Sequence, residues 1–234
     1  MPAPFSRYLL RTTDVAAATA FYDAVLESRG DGIVALHEDA IARGARPHWL
    51  GHVRARDLGG SEALATRFIE RGATRLGPPP GRGDFVVLRD PGGALVGLTD
   101  SEADSAASVV WHQLSTLNPD QAAENYGALC GWSLSAPFEL GQLGQHRRLG
   151  YAKGDASVGL VSGVEGRPQV HPHWLFFFAV PSLEAAALRV RELGGVVIGP
   201  IELPSGGRVA VCDDPQGAAF GLIEPDDAAK LARQ

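Results

Sequence analysis

Two of the residues best suited to catalysis or ligand binding, His52 and Arg54, lie in the stretch HWLGHVR, residues 48–54. Side chains alternate between the two faces of a β-strand, so His52 and Arg54 share one face while Gly51 and Val53 share the other. Imidazole titrates near neutral pH, which suits His52 to general acid–base catalysis. The same pattern also fits a histidine that is held by hydrogen bonds in a cavity wall. The sequence leaves both interpretations open.

The same alternation places further polar and aromatic side chains on the corresponding faces of other strands. Arginines and aromatic rings there would bind a planar ligand that carries a phenolate, carboxylate or carbonyl group. Alternatively, the arginines reach solvent or pair with nearby carboxylates. The predicted catalytic residue is His52, with Gln113 or one of the arginines as its oxyanion partner. The predicted ligand-binding residues are Arg7, Arg11, Arg54, Trp111, Phe177, Gly97 and Gly221.

Composition restricts the classes of partner. The chain has 234 residues and a formal net charge of -6, which argues against a nucleic-acid partner. No apolar run reaches the length of about 18 residues that a membrane helix needs, so no membrane partner is expected. The two cysteines, Cys130 and Cys212, stand in hydrophobic contexts, and the first residues lack the profile of a secretory signal. The expected location is therefore the cytoplasm, and no glycine-rich cofactor motif is found.

The strands that carry these residues belong to an internal repeat. The stretch RDPGGALVGL, residues 89–98, returns as DDPQGAAFGL, residues 213–222, and Trp49 returns as Trp174. The second copy also has a segment at 132–163 that is typical of two strands and a polar turn, and His146 is expected to be solvated there. The repeat therefore predicts two similar modules.

Local signals divide each copy into strands and helices. Asp14, Asn118 and Ser182 are suited to cap helices, and Pro119 suits a first helical position. The D-P-x-G stretches predict tight turns, with Asp90 and Asp214 in structural roles. The predicted fold class is α+β. The predicted domains are 1–100 and 109–226, with a linker at 101–108 and a tail at 227–234.

This order of elements resembles the vicinal oxygen chelate superfamily, which includes glyoxalase I, bleomycin-resistance proteins and extradiol dioxygenases. The resemblance rests on WHQLSTLNPDQAAENYGALCGW, HPHWLFFFAV and DDPQGAAFGLIEP, and it covers nearly the whole chain. It implies two tandem glyoxalase-like βαβββ-type module pairs, whose curved mixed sheets surround a concave cavity with helices on the outer face. It does not imply one reaction, because members of one fold can differ in chemistry.

The resemblance also implies where a metal ion would bind in a metal-dependent member. The six corresponding positions are Arg7, Leu50, Gly97, Trp111, Leu175 and Gly221. None offers the imidazole, carboxylate or thiolate that a divalent metal prefers, so no metal and no other cofactor is predicted. Two explanations remain open for the glycines: they widen a cavity wall, or they allow close packing between strands.

Several functions fit these observations. The favoured one is a metal-free protein that binds a small aromatic or anionic organic molecule, as a monomer or a homodimer. The alternative is a cofactor-independent isomerase, cyclase or lyase of secondary metabolism that uses His52 as its acid–base group. A metal-dependent glyoxalase or dioxygenase-like enzyme is disfavoured by the missing ligands, and a purely structural module is the weakest candidate. Whether the protein is an enzyme stays open at this point.

Overall fold

The computed structural model describes residues 3–26, 32–81, 83–101, 109–203 and 206–233. Within these ranges the chain forms six α-helices and fifteen strands in two mixed sheets, which confirms the predicted α+β fold class. None of the described helices is long and apolar enough to cross a membrane.

The first copy builds a six-stranded sheet. Its elements are β1 Phe5–Thr12, α1 Val15–Leu26, β2 Ile33–Ala35, α2 Glu38–Ala42, β3 His48–Arg54, α3 Ser61–Glu70, β4 Thr74–Gly77, β5 Phe85–Arg89 and β6 Leu95–Thr99. The strands follow the order β2-β1-β3-β6-β5-β4. Pairing is parallel between β1 and β2 and between β3 and β6, and antiparallel from β6 through β5 to β4.

The second copy builds the larger sheet. Its elements are β7 Val109–Thr116, α4 Pro119–Cys130, β8 Ser133–Leu134, β9 Phe138–Glu139, β10 Gln145–Gly150, β11 Gly159–Gly163, β12 His173–Ala179, α5 Leu183–Glu192, β13 Val196–Glu202, β14 Arg208–Asp213, β15 Ala219–Ile223 and α6 Pro225–Ala232. The main order is β13-β14-β15-β12-β7-β11-β10-β8, and β9 pairs with β10. The segment 132–163 forms four strands, β8 to β11, where two strands and a polar turn were predicted. The strands β8 to β10 have no counterpart among the described residues of the first copy.

The predicted helix caps are confirmed. The Asp14 carboxylate accepts a hydrogen bond from the amide of Ala17 at 3.0 Å. Asn118 Oδ1 accepts one from the amide of Gln121 at 3.0 Å, directly before Pro119 in the first turn of α4. Such side-chain acceptors satisfy amides that have no partner within the helix. These short-range signals therefore fix where α1 and α4 begin.

The D-P-x-G stretches form the predicted turns. Asp90 Oδ1 accepts a hydrogen bond from the amide of Ala94 at 2.8 Å, and Asp214 Oδ1 accepts one from Ala218 at 2.9 Å. The last glycine of each motif has a positive φ, +96° at Gly93 and +90° at Gly217, and residues with a Cβ rarely adopt this backbone conformation. The turns set the register of β5 with β6 and of β14 with β15.

The chain divides into two compact units, and each contains segments from both sequence copies. Unit one comprises Met1–Arg7, Gly51–Asp104 and His112–Trp174, and within it α3 contacts α4. Unit two comprises Tyr8–Leu50, Ser105–Trp111 and Leu175–Gln234, and within it α1 contacts α5.

The predicted domain limits describe the sequence repeat, and as domain limits they stay a prediction. Most of the predicted linker, 102–108, lies outside the described residues. The helix α6 runs from Pro225 to Ala232, so most of the predicted tail, 227–234, is helical.

Candidate functional site

The ring of His52 covers Gly97 in unit one. The two residues are partners in the parallel register of β3 with β6. A Cβ built on Gly97 would lie 2.2 Å from Cδ2 of His52, which is far inside van der Waals contact. His52 is 0% exposed, and its ring meets the edge of Phe85 at a centroid distance of 5.8 Å. The imidazole therefore occupies the space that a side chain at position 97 would need.

Unit two repeats this arrangement with a different ring. Phe177 and Gly221 are register partners of β12 and β15. A Cβ on Gly221 would lie 2.2 Å from Cδ1 of Phe177, whose side chain is only 2% exposed. The repeated glycine thus allows a ring on the neighbouring strand to lie flat on the sheet. Of the two explanations that the sequence left open, close packing between strands is the one that these distances support.

The remaining predicted site residues lie on their expected strands but differ in exposure. Trp111 is buried, whereas Arg7, Arg11, Arg54 and Gln113 are half-buried. Burial lowers the pKa of His48 in unit two, and the positive charge of Arg11 lowers it further. Whether these side chains gather around one ligand stays a prediction.

The residues at the six family positions do not fit a resident divalent metal. Gly97 and Gly221 have no side-chain donor, and a ring lies over each of them. Leu50, Leu175 and Trp111 are buried side chains without an oxygen, sulfur or imidazole ligand, and the Arg7 guanidinium is a cation without a lone pair to offer. Among the described residues, no group of three or more His, Cys, Asp and Glu side chains could hold a metal ion.

Two histidines outside the predicted site are buried in unit one. His112 is a hydrogen-bonded core histidine, since its Nδ1 lies 2.8 Å from the carbonyl oxygen of Val158 and its ring stacks on Phe5. The expectation that His146 is solvated is wrong, because the residue lies in β10 and is 3% exposed. The neighbouring glycine and arginines suggested a turn, but pairing of β10 with β9 and β11 encloses the ring.

Acid should destabilise the protein through His112. Burial lowers the pKa of His112 from 6.5 to about 4. Between these values the unfolded chain binds a proton that the folded chain does not, so the free energy of unfolding decreases as pH falls through this window. We expect His112 to account for a loss of about 2 kcal/mol between pH 7.5 and pH 4.5. Urea unfolding across this range should show a flatter pH dependence for His112→Phe, whereas His171→Phe, at an exposed histidine that caps no helix, should keep the pH dependence of the parent.

Each unit also contains a buried cluster that was not predicted from the sequence. The Tyr126 cluster of unit one consists of Tyr126, Asp90 and Trp174. Tyr126 donates its hydroxyl hydrogen to Asp90 Oδ2 at 2.9 Å, and Trp174 Nε1 donates to the tyrosine oxygen at 3.2 Å. Burial raises the pKa of Tyr126 well above its ordinary value, and the nearby Asp90 charge raises it further. The phenol therefore stays a neutral donor.

The Tyr22 cluster of unit two has the same composition and connectivity. Tyr22 donates to Asp214 Oδ2 at 3.2 Å, and Trp49 Nε1 donates to the tyrosine oxygen at 3.0 Å. The tyrosine, the tryptophan and the aspartate stand at equivalent places in the two sequence copies, and this repetition is the sequence signal that could have revealed the clusters. Each cluster joins a tyrosine and a tryptophan of one copy to the turn aspartate of the other, so it ties a helix, a strand and a turn together within one unit.

Comparison with known proteins agrees with this fold. The family model described as "Glyoxalase-like domain" matches residues 111–223. "Putative glyoxylase CFP32" of Mycobacterium tuberculosis is 32% identical over 248 residues, which span 92% of each chain. "Anthracycline biosynthesis protein DnrV" of Streptomyces peucetius is 32% identical over 175 residues, which span 70% of this chain and 62% of that protein.

Solved structures show the same architecture at lower sequence identity. The 2,3-dioxygenase LapB from Pseudomonas sp. KL28 aligns with a TM-score of 0.59 and 17% identity, over 96% of this chain and 94% of that one. The Mn(II)-bound glyoxalase from Novosphingobium aromaticivorans aligns with a TM-score of 0.57 and 14% identity, over 95% and 81%. These likenesses concern the fold alone. With its near full-length relative, its duplicated modules and its two mixed sheets, the chain belongs to the vicinal oxygen chelate superfamily, among the glyoxalase-like proteins.

Proposed function

We propose that this protein binds a small organic molecule, aromatic or anionic, on the sheet faces that carry the predicted site residues, and that it does so without a resident metal ion. The observation that carries the proposal is the pair of rings over Gly97 and Gly221. They take the place where a metal-binding side chain would stand in the family. Half-buried arginines such as Arg7 and Arg54 supply positive charge for a phenolate or carboxylate.

The relatives suggest which ligands to try first. Two of them are named for anthracycline biosynthesis, so a planar polycyclic phenol is a reasonable ligand class for this chain. The half-buried guanidinium groups favour such a ligand, because they stack on a planar ring and donate charge-assisted hydrogen bonds to its phenolate or carboxylate oxygens.

Metal analysis combined with ligand titration tests the proposal. Native mass spectrometry of untagged protein should show no stoichiometric zinc, iron or manganese. Fluorescence titration with rhein, a planar dihydroxyanthraquinone that carries a carboxylate, should give saturable binding that EDTA leaves unchanged, while the double variant Arg7→Gln/Arg54→Gln should bind about 10-fold more weakly. One retained metal ion per chain, or binding that EDTA abolishes, would overturn the metal-free proposal.

A second measurement separates binding from acid–base catalysis. The buried, 0% exposed position of His52 supports a packing role. His52→Phe gives the first copy the ring that the second copy has at Phe177, so the variant should fold and keep its rhein affinity within about 3-fold. If a turnover assay for a later substrate showed a loss of about 100-fold or more in His52→Phe, the cofactor-independent enzyme would replace the binding protein as the proposed function.

A further inference from the structure

Unit one contains a cavity that includes none of the predicted site residues. It is about half open to solvent, its volume is about 590 Å³, and it lies at the start of β10, the end of β11 and the beginning of α4. This volume falls in the range of ligand-binding sites in proteins, about 300–1,000 Å³. The strand β10 belongs to the segment that distinguishes the second copy from the first. Leu117, Pro137, Leu143 and Val161 give the cavity an apolar wall.

His146 supplies this wall with a hydrogen-bond acceptor. Its Nδ1 lies 2.9 Å from the carbonyl oxygen of Gly144, and a carbonyl only accepts, so Nδ1 carries the proton and Nε2 keeps its lone pair. Within the described part of the chain, Nε2 makes no hydrogen bond, although the residue is 3% exposed. Burial lowers the pKa of His146, with a further contribution from the Arg167 charge, so the imidazole is neutral at neutral pH.

Arg167 supplies the positive charge. Its Nη2 donates to Ser162 Oγ at 3.1 Å and to the carbonyl oxygen of Gly163, contacts that fix the guanidinium on the end of β11. Both acceptors are uncharged. No described carboxylate forms an ion pair with Arg167, although the exposed Glu165 also lines the cavity.

The second guanidinium of the wall is already engaged. Arg147 pairs with Asp120 and donates to the carbonyl oxygen of Ser135 at 3.0 Å. Arg167 is therefore the cation that remains available to a ligand, next to a buried imidazole that can accept a hydrogen bond.

We propose that this cavity binds a small hydroxylated organic acid. Its carboxylate pairs with Arg167, its hydroxyl donates to Nε2 of His146, and its apolar body packs against Leu143 and Val161. A charge-assisted bond is stronger than a neutral one, so Arg167 supplies most of the affinity and His146 selects for the hydroxyl. This site is independent of the sheet-face site proposed above, since the two share no residue.

Calorimetric titration with 3-hydroxybenzoate and with benzoate tests the proposal. The parent should bind 3-hydroxybenzoate saturably at one site, and benzoate about 5-fold more weakly because it lacks the hydroxyl. Arg167→Gln should weaken 3-hydroxybenzoate binding about 10-fold or more, and Arg167→Lys should recover part of that loss. His146→Phe should bind the two acids equally.

The matched control is Arg189→Gln, which removes an arginine that is paired with Glu192 on the surface of α5. It should bind both acids within about 2-fold of the parent. Thermal unfolding of each variant verifies folding, and Arg167→Lys keeps the test valid if Arg167→Gln is unstable. The proposal is overturned by an absence of saturable binding up to about 20 mM, a concentration that would detect even a millimolar Kd. It is also overturned if Arg167→Gln and Arg189→Gln bind alike.

Discussion

Asp90→Ala is expected to lower the free energy of unfolding by about 4 kcal/mol. Asp90 is buried, and its carboxylate accepts hydrogen bonds from the Tyr126 hydroxyl and the amide of Ala94. Alanine would leave both donors without a partner in a site that water does not reach, and each such donor costs about 1–3 kcal/mol. Burial raises the pKa of Asp90, whereas the hydrogen bonds from Tyr126 and Ala94 lower it, so these bonds stabilise the charged carboxylate in the folded protein.

Chemical denaturation of three variants would separate this cluster from a general effect of changing a turn residue. Asp155→Ala alters an exposed aspartate and should change stability by less than about 0.5 kcal/mol. Tyr126→Phe should cost about 2 kcal/mol, because it removes one hydroxyl and leaves Asp90 and Trp174 with one bond fewer. If Asp90→Ala unfolded at the same denaturant concentration as Asp155→Ala, the hydrogen bonds of the Tyr126 cluster would contribute nothing to stability.

Local features of the chain could be predicted because they depend on neighbouring residues. Asn118 caps α4 and Gly93 adopts its left-handed turn conformation, as the sequence indicated. These effects act over three or four positions, so residue type alone reveals them. The repeated frame also predicted that Gly97 and Gly221 have equivalent places, and both lie beneath a ring.

Features that depend on distant segments could not be predicted in the same way. The turn aspartates were assigned to their own turns, yet Asp90 also accepts a bond from Tyr126, which stands 36 positions away. His146 was expected in a polar turn, since the adjacent residues are glycine, glutamine and arginine, and only strand pairing shows that it is buried. Tertiary contacts of this kind leave no periodic trace in one sequence.

The candidate site illustrates both cases at one residue. Alternation placed His52 and Arg54 on one face of β3 and Val53 on the other, but it could not show how far the His52 ring would be buried. The position of the His52 ring depends on its register partner in β6, Gly97, because a side chain there would occupy the space that the imidazole fills. The residue type suggested acid–base catalysis, whereas the contact with Gly97 in β6 indicates that the ring has a packing role.

Gly221→Ala is expected to destabilise the protein by about 3 kcal/mol, near the upper end for overpacking a core. The new Cβ would lie 2.2 Å from Cδ1 and 2.5 Å from Cγ of Phe177. A clash with Cγ cannot be relieved by turning the ring, so the strands must separate or the whole side chain must shift. Gly163→Ala is the matched control in another strand, since its Cβ would meet Pro119 at an ordinary 3.5 Å.

A double-mutant cycle shows whether the ring is the cause. In the Phe177→Ala background the added methyl group would enter space that the ring has left, so Gly221→Ala should cost about 2 kcal/mol less there than in the parent. Additive effects would mean that the strain arises elsewhere in β15. A coupled result would also bear on metal binding, because a carboxylate side chain introduced at position 221 could reach a metal only after Phe177 had moved. Introducing one ligand side chain would then be insufficient, because the Phe177 ring on the neighbouring strand β12 occupies the space beside it.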